Sequence, residues 1–172
     1  VVSMVSLPSD GALRTAFVLM LAAALFDFLD GFVARLTRQY SPLGAQLDSL
    51  ADMVSFVLLP MLVAMKVYYL AGGHGTWSAV MFLLPVCGAL RLARFNVSDD
   101  HQGDFVGLPV PACALLIGAA GWYAAGRMGV PAAGWVQWGV LVAGVALALL
   151  MVSSVRMFSL KFAGFRFAGN EV

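Results

Sequence analysis

Four aspartates in an otherwise apolar stretch are the residues whose type and spacing suggest chemistry. Asp27 and Asp30 are three residues apart, and Asp48 and Asp52 are four apart, all within 26 residues. On a helix, either spacing puts both side chains of a pair on one face. A carboxylate at membrane depth costs about 2.5 kcal/mol or more on insertion scales, so we expect these four to be functional.

Carboxylate oxygens are the ligands that hard divalent cations prefer, and a bound cation would offset the repulsion between like charges. If the two pairs converge, the four aspartates form a site for Mg²⁺ or Mn²⁺, and two bound ions are the simplest interpretation. A divalent-cation carrier is the alternative from another class. A carrier site is expected near the bilayer midplane on discontinuous helices, whereas these carboxylates lie toward one end of their spans.

Small residues share the faces of the aspartates. Gly31 and Ala34 follow Asp27 by four and seven residues, and Gly44 precedes Asp48 by four. Such positions leave a groove that lets a flat base or a diphosphate approach the backbone. Small residues also permit close packing of membrane helices, so the glycines alone have two interpretations.

Composition defines the elements that must position these residues. The chain has 172 residues, of which 62% are hydrophobic and 11% charged, against about 25% charged in a soluble domain. This excludes a soluble globule. A formal net charge of +1 provides no basic surplus for nucleic acid. We therefore predict an all-α, polytopic membrane helix bundle that forms a single domain over residues 1–172.

Apolar runs of the length that a bilayer requires predict about five spans. An apolar segment at residues 1–7 predicts the end of a preceding helix, and residues 156–172, which alternate basic and aromatic side chains, predict an interfacial tail. The last two spans contain no charge. The predicted spans are Leu13–Leu36, Leu43–Leu70, Trp77–Phe95, Leu108–Gly126 and Gly129–Val155.

The distribution of basic residues predicts the orientation of the bundle. Alternating crossings put seven Lys and Arg residues on one side and three on the other, which identifies the cytoplasmic face. The four aspartates fall near that face, so the site is expected to open to the cytoplasm. The seven are Arg35, Arg38, Arg91, Arg94, Arg156, Lys161 and Arg166, and the three are Arg14, Lys66 and Arg127.

The aspartates and small residues together form one motif, Asp27-x-x-Asp30-Gly31-x-x-Ala34-Arg35, then eight residues, then Gly44-x-x-x-Asp48-x-x-x-Asp52. This pattern resembles the complete signature of the CDP-alcohol phosphotransferases. The resemblance implies a six-helix integral membrane enzyme, usually a homodimer, which displaces CMP from a CDP-linked lipid with an alcohol.

The resemblance also implies roles for individual residues. Asp27, Asp30 and Asp48 would ligate the metal ions, and Asp52, a fourth candidate ligand, would take the proton of the attacking alcohol. The CDP-lipid would lie against Asp27, Asp48 and the groove formed by Gly31, Ala34, Arg35 and Gly44. A direct displacement is expected, and a covalent phosphatidyl-aspartate is the rival chemistry.

Three further blocks are similar to the phosphatidylserine synthase branch of this family. They are Arg91-Leu92-Ala93-Arg94-Phe95-Asn96, Gly107-Leu108-Pro109-Val110-Pro111-Ala112 and Leu150-Met151-Val152-Ser153. This resemblance implies CDP-diacylglycerol, or a CDP-archaeol-like lipid, as donor and L-serine as acceptor. Arg91, Arg94 and Asn96 are the candidates for binding the acceptor carboxylate or a phosphate. Glycerol 3-phosphate or an inositol phosphate is the alternative acceptor.

Overall fold

The computed structural model describes residues 9–37, 41–97, 107–127 and 135–153, and the side chains of residues 9, 10, 35, 42 and 97 lie outside this description. Every regular element in these ranges is helical. The all-α prediction is therefore confirmed for the described part of the chain. The predicted helix end at residues 1–7 and the predicted tail at 156–172 lie outside the described residues, as does Arg38.

Five helical stretches follow one another along the chain. The second consists of an α-helix, a π-helical turn and another α-helix, and the third begins with a 3₁₀-helix. In order, the elements are α1 Ser9–Thr37, α2 Pro42–Asp52, the π segment Met53–Leu58, α3 Leu59–Leu70, the 3₁₀ segment Gly75–Phe82, α4 Leu83–Val97, α5 Val110–Ala125 and α6 Val136–Val152.

Three of these stretches are long and apolar enough to cross a membrane, namely Gly11–Ala34, Leu43–Leu70 and Gly75–Asn96. The α5 and α6 helices have 16 and 17 residues, which corresponds to about 24 and 26 Å at 1.5 Å per residue. The two uncharged predicted spans are therefore the shorter helices, and residues 128–134 and 154–155 beside α6 lie outside the described part. The chain is an integral membrane helix bundle.

Small side chains let the helices approach closely in the core. The α1 helix packs against α5, and α3 packs against α5 as well. Leu13, Met20 and Val63 are fully buried between them. A Cβ atom on Gly118 of α5 would lie only 2.7 Å from the ring of Phe17. Close helix contact of this kind is what stabilises bundles in lipid, where the hydrophobic effect between helices is weak.

Exposed tryptophan side chains lie at the end of the bundle remote from the aspartates. The Arg14 guanidinium lies 5.6 Å from the Trp122 ring centroid, and the centroids of Trp77 and Trp138 are 5.7 Å apart. Arg14 and Asp27 are thirteen residues apart on α1, which corresponds to roughly 20 Å. Arginine and tryptophan at this level fit a membrane–water interface.

Candidate active site

The predicted convergence of the two aspartate pairs occurs for three of the four carboxylates. One side-chain oxygen from each of Asp27, Asp30 and Asp48 lies within 4.8 Å of the others. Asp27 is partly buried, whereas Asp30 and Asp48 are exposed. Helix α1 therefore contributes two members of the cluster and α2 contributes one.

Asp52 falls outside this group of three. It is the last residue of α2, four residues beyond Asp48, which corresponds to about 6 Å along the helix axis. Asp52 is partly buried, and its carboxylate lies near the charges of the three clustered aspartates and of Arg91 on α4. Asp52 therefore lies next to the three-carboxylate cluster, between it and Arg91, without being one of the three.

A π-helical turn follows Asp52 directly, and the sequence analysis missed it. The Leu59 N–H donates to the Val54 carbonyl, five residues back. Pro60 has no N–H to donate to the Phe56 carbonyl, and its ring crowds an α-helical carbonyl at that position. The wider turn accommodates this proline, as π turns often do near functional sites. Pro60, eight residues after Asp52, was the available signal.

The start of α2 is fixed by its cap. The Ser41 hydroxyl accepts a hydrogen bond of 3.0 Å from the Gly44 N–H, and Pro42 occupies the first turn, where its missing N–H has no cost. A Cβ atom on Gly44 would lie 2.8 Å from the Ser41 hydroxyl oxygen. Gly44 therefore has a capping role in addition to the nucleotide-groove role predicted for it.

The other predicted groove residues lie beside the cluster on α1. Gly31 and Ala34 are both partly exposed, and Gly44 of α2 is exposed. The side chain of Arg35 lies outside the described part of the structure. Three of the four predicted groove positions are thus accessible to solvent.

The three candidates for acceptor binding have different surroundings. The Arg91 Nε is buried, and no acceptor within the described residues reaches it. By contrast, Arg94 Nη1 donates to the Val152 carbonyl over 3.3 Å, and Asn96 Nδ2 donates to the Ser49 hydroxyl over 2.9 Å. Only Arg91 of the three thus has a buried donor without a partner in the described part of the chain.

Arg94 belongs to a junction at the C-terminal end of α6. The Leu108 N–H donates to the Leu150 carbonyl over 3.0 Å, and Gly107 has a φ of 79°. A Cβ atom on Gly107 would lie 2.6 Å from the Met151 carbonyl oxygen. These contacts serve the last carbonyls of a helix, which lack intrahelical partners. The three sequence blocks beyond the aspartate motif therefore meet in space.

Fold and site together define a class of protein, an integral membrane helix bundle with an acidic cluster formed between two of its spans. The profile of the CDP-alcohol phosphatidyltransferase family matches residues 1–160. The chain belongs to this family.

Curated relatives agree with this assignment. The archaetidylserine synthase of Methanothermobacter thermautotrophicus is 36% identical over 149 residues, covering 85% of this chain and 59% of that protein. The CDP-diacylglycerol–serine O-phosphatidyltransferases of Helicobacter pylori and Methanocaldococcus jannaschii are 42% and 43% identical, over 58% and 61% of this chain and 42% and 49% of those proteins. The chain thus spans about two fifths to three fifths of the length of these relatives.

Proposed function

We propose that this chain transfers a phosphatidyl-type group from a CDP-linked lipid to the hydroxyl of L-serine and releases CMP. The donor is CDP-diacylglycerol or a CDP-archaeol-like lipid. The observation that carries the proposal is the convergence of Asp27, Asp30 and Asp48 within 4.8 Å in a chain of this family. The names of the relatives support serine as the acceptor.

The donor set fits a divalent cation. Three carboxylate oxygens within 4.8 Å of one another are ligands of the type that Mg²⁺ or Mn²⁺ prefers. One or two such ions, when bound, would neutralise charge on the diphosphate of the donor. Asp27, Asp30 and Asp48 would hold them.

Asp52 is the proposed general base. Its carboxylate takes the proton of the serine hydroxyl while the hydroxyl oxygen forms a bond to the lipid phosphorus. The bond between that phosphorus and the bridging oxygen of CMP breaks, and CMP leaves with the electron pair. A single displacement inverts the configuration at phosphorus, whereas a covalent aspartyl intermediate retains it.

Arg91 is the proposed partner of the serine carboxylate. A buried guanidinium N–H without a partner is costly, and a carboxylate beside Asp52 would satisfy it with a charge-assisted hydrogen bond. The roles predicted for Arg94 and Asn96 stay predictions, since both side chains have intramolecular partners. The nucleotide groove at Gly31, Ala34, Arg35 and Gly44, the cytoplasmic orientation and the homodimer are likewise proposals.

Metal-dependent CMP release by the purified protein tests this function. A CDP-lipid in detergent is supplied with serine, glycerol 3-phosphate, an inositol phosphate or no alcohol. Serine-dependent release is the expected result. Release with another alcohol alone would retain the aspartate chemistry and refute the serine acceptor. Absence of release with every alcohol, in a folded and metal-loaded sample, would favour the cation-carrier alternative.

A further inference from the structure

Helix α2 carries Asp48 and Asp52 but is poorly covered by the rest of the bundle. From Leu43 to Ala51, every residue is exposed except Ser49, which is partly covered. The buried side chains of the Leu43–Leu70 stretch lie beyond α2, so little side-chain packing fixes the position of this exposed end. The direction in which Asp48 and Asp52 point depends on a small number of contacts.

A groove separates α2 from α4 where packing would otherwise hold them together. Its volume is about 330 Å³, and it is lined by uncharged side chains of α2, the start of the π segment and α4. A gap of this size removes the van der Waals contacts that fix two helices in register. The lining residues are Gln46, Ser49, Leu50, Met53, Ala89, Leu92, Ala93 and Asn96.

One hydrogen bond crosses this groove. Asn96 Nδ2 donates to the Ser49 hydroxyl over 2.9 Å, and that hydroxyl donates in turn to the Ala45 carbonyl over 3.1 Å. The chain of two bonds links the side chain of α4 to the backbone of α2. Among the side chains that the structure describes, it is the only hydrogen-bonded link from α2 to another span.

The position of Ser49 suits it to set the rotation of α2. Ser49 follows Asp48 by one residue and so points about 100° away from it around the helix. With Ser49 held toward α4, Asp48 faces Asp27 and Asp30 on α1. Loss of the bond would let the exposed end of the Leu43–Leu70 stretch shift and move Asp48 out of the cluster.

We propose that Ser49 and Asn96 form a positioning pair that holds Asp48 in the metal-binding cluster, an inference that rests on the metal site of the proposed function. In this role Asn96 acts through Ser49, and the acceptor-binding role predicted for Asn96 is the competing hypothesis. If Asn96 contacts serine directly, substitution of Asn96 would increase the KM for serine and leave metal binding unchanged.

The test measures Mn²⁺ binding to the purified protein in detergent by electron paramagnetic resonance, which needs no turnover. Ser49→Ala and Asn96→Ala are each expected to weaken Mn²⁺ binding by about tenfold, the lower end of the range for residues that orient metal ligands. The double variant is expected to match either single variant, because both remove one interaction. The KM for serine is expected to stay within twofold.

Matched variants separate this role from a general loss of structure. Ser49→Thr retains a hydroxyl and should bind Mn²⁺ like the wild type. Gln46→Ala alters the same groove without removing the crossing bond and should also bind normally. Thermal unfolding of each variant in detergent checks that the bundle is intact.

Unchanged Mn²⁺ affinity in both single variants would overturn the positioning role. An increased KM for serine in Asn96→Ala alone would do the same and would assign Asn96 to the acceptor. Failure of the wild-type protein to bind Mn²⁺ would refute the metal site itself, and the inference with it. This outcome is distinguishable from the others because it appears before any substitution is made.

Discussion

At the scale of single residues, Asp48 is the member of the acidic cluster supplied by α2, and its oxygen lies within 4.8 Å of those of Asp27 and Asp30. We expect Asp48→Asn to increase the metal concentration for half-maximal CMP release by about tenfold or more, because an amide is a weaker ligand than a carboxylate. Titration of activity with Mn²⁺ measures the shift. An unchanged half-activation concentration would contradict ligation by Asp48.

Asp52 should respond differently, because it lies outside the three-carboxylate cluster. Asp52→Asn removes a proton acceptor, and we expect turnover to fall by about 10²- to 10⁴-fold. Binding of the CDP-lipid and of Mn²⁺ should change little, as measured with the catalytically impaired protein. Normal turnover would exclude Asp52 as the base, and loss of Mn²⁺ binding would make it a ligand.

Gly44 has two roles that a pair of variants can separate. Gly44→Leu fills the predicted nucleotide groove and crowds the Ser41 hydroxyl, whereas Ser41→Ala removes the cap alone. We expect only Gly44→Leu to increase the KM for the CDP-lipid severalfold, measured by CMP release at saturating serine. Equal effects of both variants would show that Gly44 matters for the cap and not for the nucleotide.

At the scale of elements, the junction between α5 and the end of α6 depends on Gly107. Its φ of 79° disfavours any residue with a Cβ atom, and a Cβ would approach the Met151 carbonyl oxygen to 2.6 Å. Gly107→Ala should therefore lower the free energy of unfolding by about 1–3 kcal/mol. A fall in the midpoint of thermal unfolding in detergent is the measurement.

Gly139→Ala in α6 is the matched control for Gly107. A Cβ atom there meets nothing within 4 Å, and alanine is favoured over glycine in a helix by about 0.5–1 kcal/mol. The midpoint should stay the same or rise. Equal losses in the two variants would show that the junction at Gly107 is not a special position.

The elements also show where sequence patterns succeed and where they fail. Apolar run length predicted the long helices well, because the bilayer requires a minimum length and penalises charge within it. The π turn after Asp52 was missed, because a helical period does not reveal where one extra residue is accommodated. Pro60 can be recognised as the cause of the π turn only once the structure shows that the Leu59 N–H donates to the Val54 carbonyl.

At the scale of the whole molecule, orientation in the membrane is open to a direct test. Native Cys87 and Cys113 are buried, so single cysteines can be introduced at exposed positions. Gln46 lies on the aspartate-bearing end and Thr76 at the other end, and both are exposed. The distribution of basic residues predicts that the Gln46 end is cytoplasmic.

We therefore expect a membrane-impermeant maleimide to label Thr76→Cys in intact cells and Gln46→Cys only after permeabilisation. The unsubstituted protein, which should not be labelled, is the control for the native thiols. Labelling of Gln46→Cys alone in intact cells would reverse the orientation and place the active site outside.

Composition and local residue spacing are enough to infer the class of fold and the chemical type of the site. A chain of 62% hydrophobic residues must bury its backbone polar groups in helices when it enters lipid. Asp27 and Asp30 share one helix face, and Asp48 and Asp52 share another, because helical periodicity is local. These inferences needed no knowledge of how the helices pack.

The packed fold is needed to know which side chains of different helices meet. It separates Asp52 from the three clustered carboxylates, bonds Arg94 to Val152 and bonds Asn96 to Ser49 across 47 residues of chain. Such pairings depend on the rotation and depth of each helix relative to its neighbours, which packing between helices sets and no local pattern encodes. The sequence thus identified the acidic residues, and packing assigned them different surroundings.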